Sequence, residues 1–215
     1  MIATFALILL VGLLVTAFGW RTYAHRKATG DTGWRGISGH RGSVEWLAGV
    51  GFVVGLIVGA IAPVAELLGL EPTYDVRSVR YLGLVIAGAG IALTLRAQTA
   101  MHDSWRIGVD QAETTTLRTN GIFALVRNPI FSAMTISAIG LSVAVPNIFS
   151  LIGTGMLISA IHAQVRRVEE PYLRRTHGTA YKRYEQSVGR FIPRIRPSTE
   201  VETRGDEPPL PCHES

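Results

Sequence analysis

The sequence predicts an all-α integral membrane protein. Five transmembrane helices are expected, spans four and five forming a short helical hairpin, with a cytoplasmic C-terminal segment. Three observations carry this. Hydrophobic residues make up 47% of the 215 and charged residues only 17%, against about 25% charged in a soluble domain. The apolar residues come in long blocks. The Lys and Arg residues fill the gaps: five lie in 21–45, four in 96–128 and ten from 166 onward, out of 21.

A membrane-spanning helix needs roughly 20 mostly apolar residues. Ile2 to Trp20 meets this without a charge. A cleaved signal peptide would have its basic residues in front of the apolar run; here Arg21, Arg26 and Lys27 follow it, so a retained anchor is expected. Trp46 to Ala65 is the second block, with Pro63 near its end. Tyr81 to Leu95 is the third, extendable to about Met101 if Arg96 snorkels to the interface. Ile130 to Val145 and Ile148 to Ala163 have 16 residues each, separated only by Pro146-Asn147. At 1.5 Å per residue each is about 24 Å long, which suits a tight hairpin of two short helices.

The bias of Lys and Arg sets the orientation: N-terminus outside, C-terminus cytoplasmic, in the cytoplasmic (inner) membrane. The net charge of +5 then reflects topology, and nucleic acid is not an expected partner. The run Arg174-Arg175 through Lys182-Arg183 suits anionic lipid headgroups. Gly49, Gly51, Gly55 and Gly59 in the second block, and Gly83, Ala87, Gly88 and Gly90 in the third, suit close helix packing in lipid. No strand precedes them, as a dinucleotide-binding glycine loop would require. The chain divides into helices 1–2 with a loop (1–80), a core (81–196) and a disordered tail (197–215) rich in Pro, Glu and Thr. Residues 21–45, with their glycines and tryptophans, suggest an interfacial loop or short helix.

One cysteine, Cys212, excludes an intrachain disulfide and a multi-cysteine metal site; no metal is expected. The ending Cys212-His213-Glu214-Ser215 has the length of a prenylation box, but His and Glu stand where aliphatic residues belong, so it reads as a free cysteine in a flexible tail.

Ionisable residues inside spans mark ion pathways; the first two spans have none before Glu66, which weighs against a channel or transporter. His162 is the one such residue within an expected span. If the fifth helix continues inward at about 100° per residue, Arg166, Glu169 and Glu170 fall within about 80° of it. A guanidinium and two carboxylates so placed suit a zwitterion or charged cofactor. The plainer alternative is an Arg166–Glu170 pair at i, i+4. Pro171 would clash with the carbonyl of Arg167, so a kink or fresh helix start is expected near 169–171. The other dense segment is Leu117 to Phe131. Asn120-Gly121 signals a turn, and Pro129 suits the first turn of the next helix, whose free N–H groups and dipole favour a carboxylate or a polarised atom.

Taken in order, Gly121-Ile122-Phe123, Arg127-Asn128-Pro129-Ile130-Phe131, the hairpin with Asn147 at its turn, Glu169-Glu170, Leu173, Gly178, Tyr181, Tyr184, Val188, Arg190 and Pro193 resemble the isoprenylcysteine carboxyl methyltransferase family. The related phospholipid methyltransferases share a similar pattern. The resemblance covers roughly residues 95–195, and Ser104 to Asp110 resembles a segment of bacterial relatives. It implies an integral membrane methyltransferase that uses S-adenosylmethionine at the cytoplasmic face. The positions matching cofactor contacts are Thr115, Thr116, Leu117, Arg118, Phe123, Asn128, Pro129, Ile130, Phe131 and Glu169. Two departures stand out: Asn128 replaces the family's usual His, and Phe131 its usual Tyr. Asn still donates and accepts hydrogen bonds; the phenol contact is lost. The family's substrate arginine aligns near Val165, so Arg166 or Arg167 stands in for it.

A carboxylate acceptor is already ionised at pH 7, so O-methylation needs no general base. An amine or phenol would need one, and His162 or Glu170 is placed to serve. The acceptor implied is lipid-like or prenylated. An NADPH-dependent membrane lipid reductase, sharing a Gly-Tyr-Tyr-Pro type ending, and a non-catalytic membrane scaffold are the alternative readings.

Overall fold

The computed structural model describes residues 1–34, 36–37, 39–101 and 117–194. Helix α1 (Ile2–Leu14) runs through a π-helical stretch (Val15–Trp20) into α2 (Arg21–Thr29). The first block therefore makes one helix of 28 residues, longer than the apolar run. No breaker interrupts it until Gly30, whose φ of 79° closes the helix in the left-handed conformation that glycine adopts without strain. The π turns leave a backbone carbonyl open, and buried Gln98 Nε2 donates to Ala17 O at 3.1 Å.

Helix α3 (Val44–Leu67) starts at Ser43, whose hydroxyl accepts from Trp46 N, and α4 spans Arg77–Ala100. After a 3-10 turn (Gly121–Ala124) come α5 (Pro129–Ala144) and α6 (Ile148–Gln164). A second π stretch (Val165–Glu169) leads into α7 (Glu170–Ser187). Among the described residues there is no strand, only an isolated bridge between Val126 and Gly189. Four helical stretches are long and apolar enough to cross a membrane: Ile2–Thr29, Val44–Leu67, Arg77–Ala100 and Ile148–Ser187. Pro129–Ala144, the expected fourth span, is a shorter apolar helix. The tail 197–215 and Ser104 to Asp110 lie outside the described residues.

The helices pack by the small residues that the sequence aligns. α4 lies on α5, where a β-carbon at Gly83 would come within 2.5 Å of Ala144 N and one at Gly90 within 2.6 Å of Ser137 N. α3 lies on α6, where a β-carbon at Gly153 would come within 2.5 Å of Gly59 N and one at Gly55 within 2.9 Å of Leu157 N. Backbones this close leave no room for a side chain, the arrangement that packing in lipid favours. Gly140, which faces the backbone of Ala87, supplies a test. Gly140→Leu is expected to cost about 1–3 kcal/mol by overpacking, read as a lowered Tm in detergent. Gly155→Leu, where a β-carbon would meet nothing within 4 Å, should leave Tm unchanged.

The hairpin turn is as tight as Pro146-Asn147 suggests. Asn147 Oδ1 accepts from Phe149 N and Ser150 N, both at 3.1 Å, while Ser150 Oγ accepts from Asn147 N. This reciprocal cap satisfies donors that a helix start leaves open. Asn147 Nδ2 also donates to Ala62 O at 3.0 Å, tying the turn to α3. Ser142 and Thr154 join the two arms through their hydroxyls at 2.7 Å.

Arg80, one of only two basic residues in 71–80, is buried at 4% exposure. Its Nε donates to Ala144 O at 2.9 Å and its Nη1 to Asp75 at 2.7 Å, and its Nη2 pairs with Glu66. An arginine thus caps the carbonyl end of α5, the helix end that favours a cation.

Candidate functional site

The opposite end of the hairpin gathers most of the residues singled out in the sequence. Pro129 is the first residue of α5 and Asn128 its N-cap, with φ −124° and ψ 63°. The segment after α7 folds back beside this turn. Val126 and Gly189 form a parallel bridge. Arg127 N donates to Gly189 O at 2.8 Å and Asn128 N to Arg190 O at 3.1 Å. The Asn128 side chain adds Nδ2 to Arg190 O at 3.2 Å, and Ser132 Oγ donates to Phe191 O at 2.8 Å. Residues 189–191 therefore form a strap across the start of α5.

A charged cluster holds that strap. Glu170 is 2% exposed. It accepts from Arg190 Nε at 2.6 Å and Nη2 at 2.9 Å, lies 3.1 Å from Arg127 Nη1, and accepts from Arg174 at 3.4 Å. Arg127 also meets Glu185 at 3.3 Å and donates to Tyr181 OH at 3.2 Å. The Glu170 carboxylate holds the Arg190 guanidinium above its ordinary pKa. Three guanidiniums thus face two carboxylates, and Arg127 Nε is buried without a partner among the described residues. Unpaired buried donors are costly, and an anionic group at this position would satisfy this one.

The cluster exists because α7 is not straight. Arg174 and Glu185 are ion-paired, yet on a straight helix residues eleven apart are about 16 Å apart. Gly178, at φ 51° and ψ −122°, breaks the helix and turns Tyr181, Tyr184 and Glu185 back toward Glu170. Tyr184 OH then donates to Phe123 O at 2.6 Å, fixing the 3-10 turn ahead of Asn128.

The expected stripe on the continuation of α6 divides between two faces. The π stretch Val165–Glu169 forms wider turns than an α-helix, so the 100° spacing fails there. Arg166 and Arg167 are exposed, Glu169 is half-buried and Glu170 is buried. The i, i+4 pair of Arg166 with Glu170 is replaced by the Arg127, Arg174 and Arg190 contacts. The fresh start expected near Pro171 does not appear: Glu169 and Glu170 keep right-handed helical backbone angles, and the helix runs on from α6 through the π stretch into α7. His162 is exposed, its Nδ1 3.1 Å from Ile158 O and its ring 4.8 Å from that of Phe191 on the strap.

The structure thus brings Asn128, Glu170 and His162 around residues 189–191. Phe123 is buried and Pro129, Ile130 and Phe131 form the first turn of α5; Leu117 and Arg118 lie in the irregular chain before the 3-10 turn. Thr115 and Thr116 lie outside the described residues. The residues missed as site members are Arg127, Arg174, Glu185 and Arg190. Their signal was charge balance: two acidic residues in α7 need partners, and Gly178 permits a return.

The fold and site define a polytopic helical membrane protein whose charged end carries a strapped loop-to-helix turn beside a Glu-Glu pair. Residues 79–180 match the model of the phospholipid methyltransferase family. The match takes in α4 from Val79, the Asn128–Pro129 turn, the hairpin and α7 to Ala180; the strap and α1–α3 lie outside it. Comparison with curated proteins and with solved structures found no match.

Proposed function

We propose that this chain is an integral membrane methyltransferase that takes its methyl group from S-adenosylmethionine and transfers it to the carboxylate of a lipid-like or prenylated acceptor. The observation that carries the reading is the strapped Arg127-Asn128-Pro129 turn packed on Glu170 within a phospholipid methyltransferase domain. The residues suit the cofactor. The buried Arg127 Nε–H, in a cluster with one guanidinium more than carboxylates, suits its carboxylate. Glu169 suits its ammonium or ribose hydroxyls. Phe123, Pro129, Ile130 and Phe131 supply an apolar wall; Thr115, Thr116, Leu117 and Arg118 are the further cofactor contacts in this reading.

Bound there, the cofactor supplies an electrophilic methyl on a sulfonium sulfur. The protein's task is to align the acceptor oxygen with that methyl and to keep water out. Glu170 acts as a positioning residue: guanidiniums occupy both its oxygens, leaving neither free to reach a proton on the acceptor. That favours an acceptor already ionised at pH 7, a carboxylate. Arg166 and Arg167, exposed beside the site, hold the acceptor's anionic group. His162, whose ring lies tilted against Phe191 of the strap, is the base available to an amine or phenol acceptor. In this reading five segments cross the cytoplasmic membrane, with the N-terminus outside and the site on the cytoplasmic side. Membrane lipids surround the chain and supply the acceptor.

The test is a search by mass spectrometry for lipids that gain one methyl when the protein is expressed, followed by kinetics on the acceptor found. Arg166→Ala and Arg167→Ala are expected to raise the acceptor KM about tenfold, a loss of about 1.4 kcal/mol, with cofactor KM little changed. The reverse pattern would remove these arginines from acceptor binding.

A further inference from the structure

An apolar slot runs between α1, α3, α5 and α6, away from the charged end. Its walls include Leu10 and Leu13 of α1, Leu56 and Pro63 of α3, and Met134 and Leu141 of α5. Along α5 it extends from Met134 to Val145, about 16 Å at 1.5 Å per residue. Leu56, Gly59, Ala138 and Leu141 on its lining are only half-buried, so the slot communicates with the outside. α1 and α3 lie outside the matched methyltransferase domain, so this chain's own N-terminal helices complete it.

Four hydroxyls line the slot, and all four donate within the protein. Ser137 donates to Ala133 O at 3.0 Å, Ser142 to Ser150 O at 2.9 Å, Ser150 to Asn147 O at 2.8 Å and Thr154 to Ser142 Oγ at 2.7 Å. The lining carries no charged side chain. Water needs two to four polar partners to occupy a cavity, and these walls do not offer them. α1, α3 and α6 belong to stretches apolar and long enough to cross a membrane, so the medium at the mouth is hydrocarbon. Between helices in lipid there is no hydrophobic drive to close a gap, and stability rests on filled van der Waals contacts.

We propose that the slot seats one acyl chain of a bilayer phospholipid, wedged between α1 and the α5–α6 hairpin as a resident part of the fold. The walls select shape and apolarity and carry nothing to recognise a headgroup. The acceptor, by contrast, must present its carboxylate at the charged end of the bundle.

The test is photolabelling of the full chain, reconstituted in phosphatidylcholine vesicles doped with a phospholipid that bears a diazirine midway along one acyl chain. Adducts mapped by mass spectrometry are expected on slot-lining Leu10, Leu13, Leu56 and Leu141 as well as on the outward-facing Ile8, Val53 and Ile139. Ala138→Phe should abolish the slot adducts and leave the outward ones intact; Met134→Phe, at the other end of the slot and closer in volume, repeats the test should the first variant fail to fold. Wild-type adducts confined to the outward residues would overturn the proposal. So would slot adducts that survive both substitutions, or slot adducts displaced by a carboxylated alkyl compound but not by added phospholipid, which would assign the slot to the acceptor. Labelling of the wild type reads independently of methyl transfer, so it stands or falls apart from the enzymatic reading.

Discussion

Glu170→Ala is expected to lower stability by about 3–5 kcal/mol, the usual result of removing one partner from a buried ion pair, and to abolish cofactor binding. The carboxylate sits at the centre of three guanidiniums. Without it, buried Arg127 keeps only Glu185 and the Tyr181 hydroxyl, and Arg190 loses the contacts that hold the strap on Asn128. Two effects should therefore appear together: a large fall in Tm in detergent, and release of residues 189–191, read as faster proteolysis of the C-terminal segment. Glu170→Gln keeps the shape and one set of acceptor contacts but leaves three arginines against a single carboxylate. It should fold better than the alanine variant and still bind S-adenosylmethionine weakly. A loss below about 1 kcal/mol in Glu170→Ala, typical of an exposed pair, would contradict the clamp.

Arg80→Ala is the counterpart at the far end, again with an expected cost of about 3–5 kcal/mol. It leaves Glu66 without its cation and Ala144 O without its donor, and Glu66 Oε2 is already buried without a partner. The hairpin turn would keep Asn147 Nδ2 to Ala62 O and Thr73 N to Pro146 O at 2.6 Å, so local loosening is expected in the native state. A cysteine introduced at Ile148 should react faster with a thiol reagent in Arg80→Ala than in the parent. Arg80→Met with Glu66→Gln removes both charges and should recover part of the lost stability. Cofactor affinity should change far less than in Glu170→Ala, because α5 separates the two ends by 16 residues. Equal loss of affinity in both variants would mean that the two ends are not independent.

The helical layout was legible because each signal was local. Pro146-Asn147 marked the turn, Pro129 the start of α5, and the spaced glycines the faces on which helices meet. The site was only half legible. Asn128 and Glu170 were visible through their motifs, but Glu170's partners Arg127 and Arg190 come from distant segments and meet it only because Gly178 reverses the chain. Gly178 reads in sequence as a glycine within a helix, with nothing to announce a positive φ. The angular argument for Arg166 and Glu170 assumed α-helical spacing, and the π stretch Val165–Glu169 broke it. The buried role of Arg80 had no signal in the sequence, because hydropathy counts charge and ignores pairing, and its carboxylate and carbonyl partners lie on other elements.

The central claim is that the strapped turn and the Glu169-Glu170 pair hold S-adenosylmethionine. Equilibrium binding of labelled S-adenosylmethionine to the purified full chain in detergent tests it most directly. The account predicts saturable binding at one site per chain, weakened about tenfold or more, about 1.4 kcal/mol, by Asn128→Ala and by Glu169→Ala in protein that remains folded. No binding by the parent chain, or binding that both substitutions leave unchanged, would contradict it, and saturable binding of NADPH in its place would assign the fold to reductive chemistry.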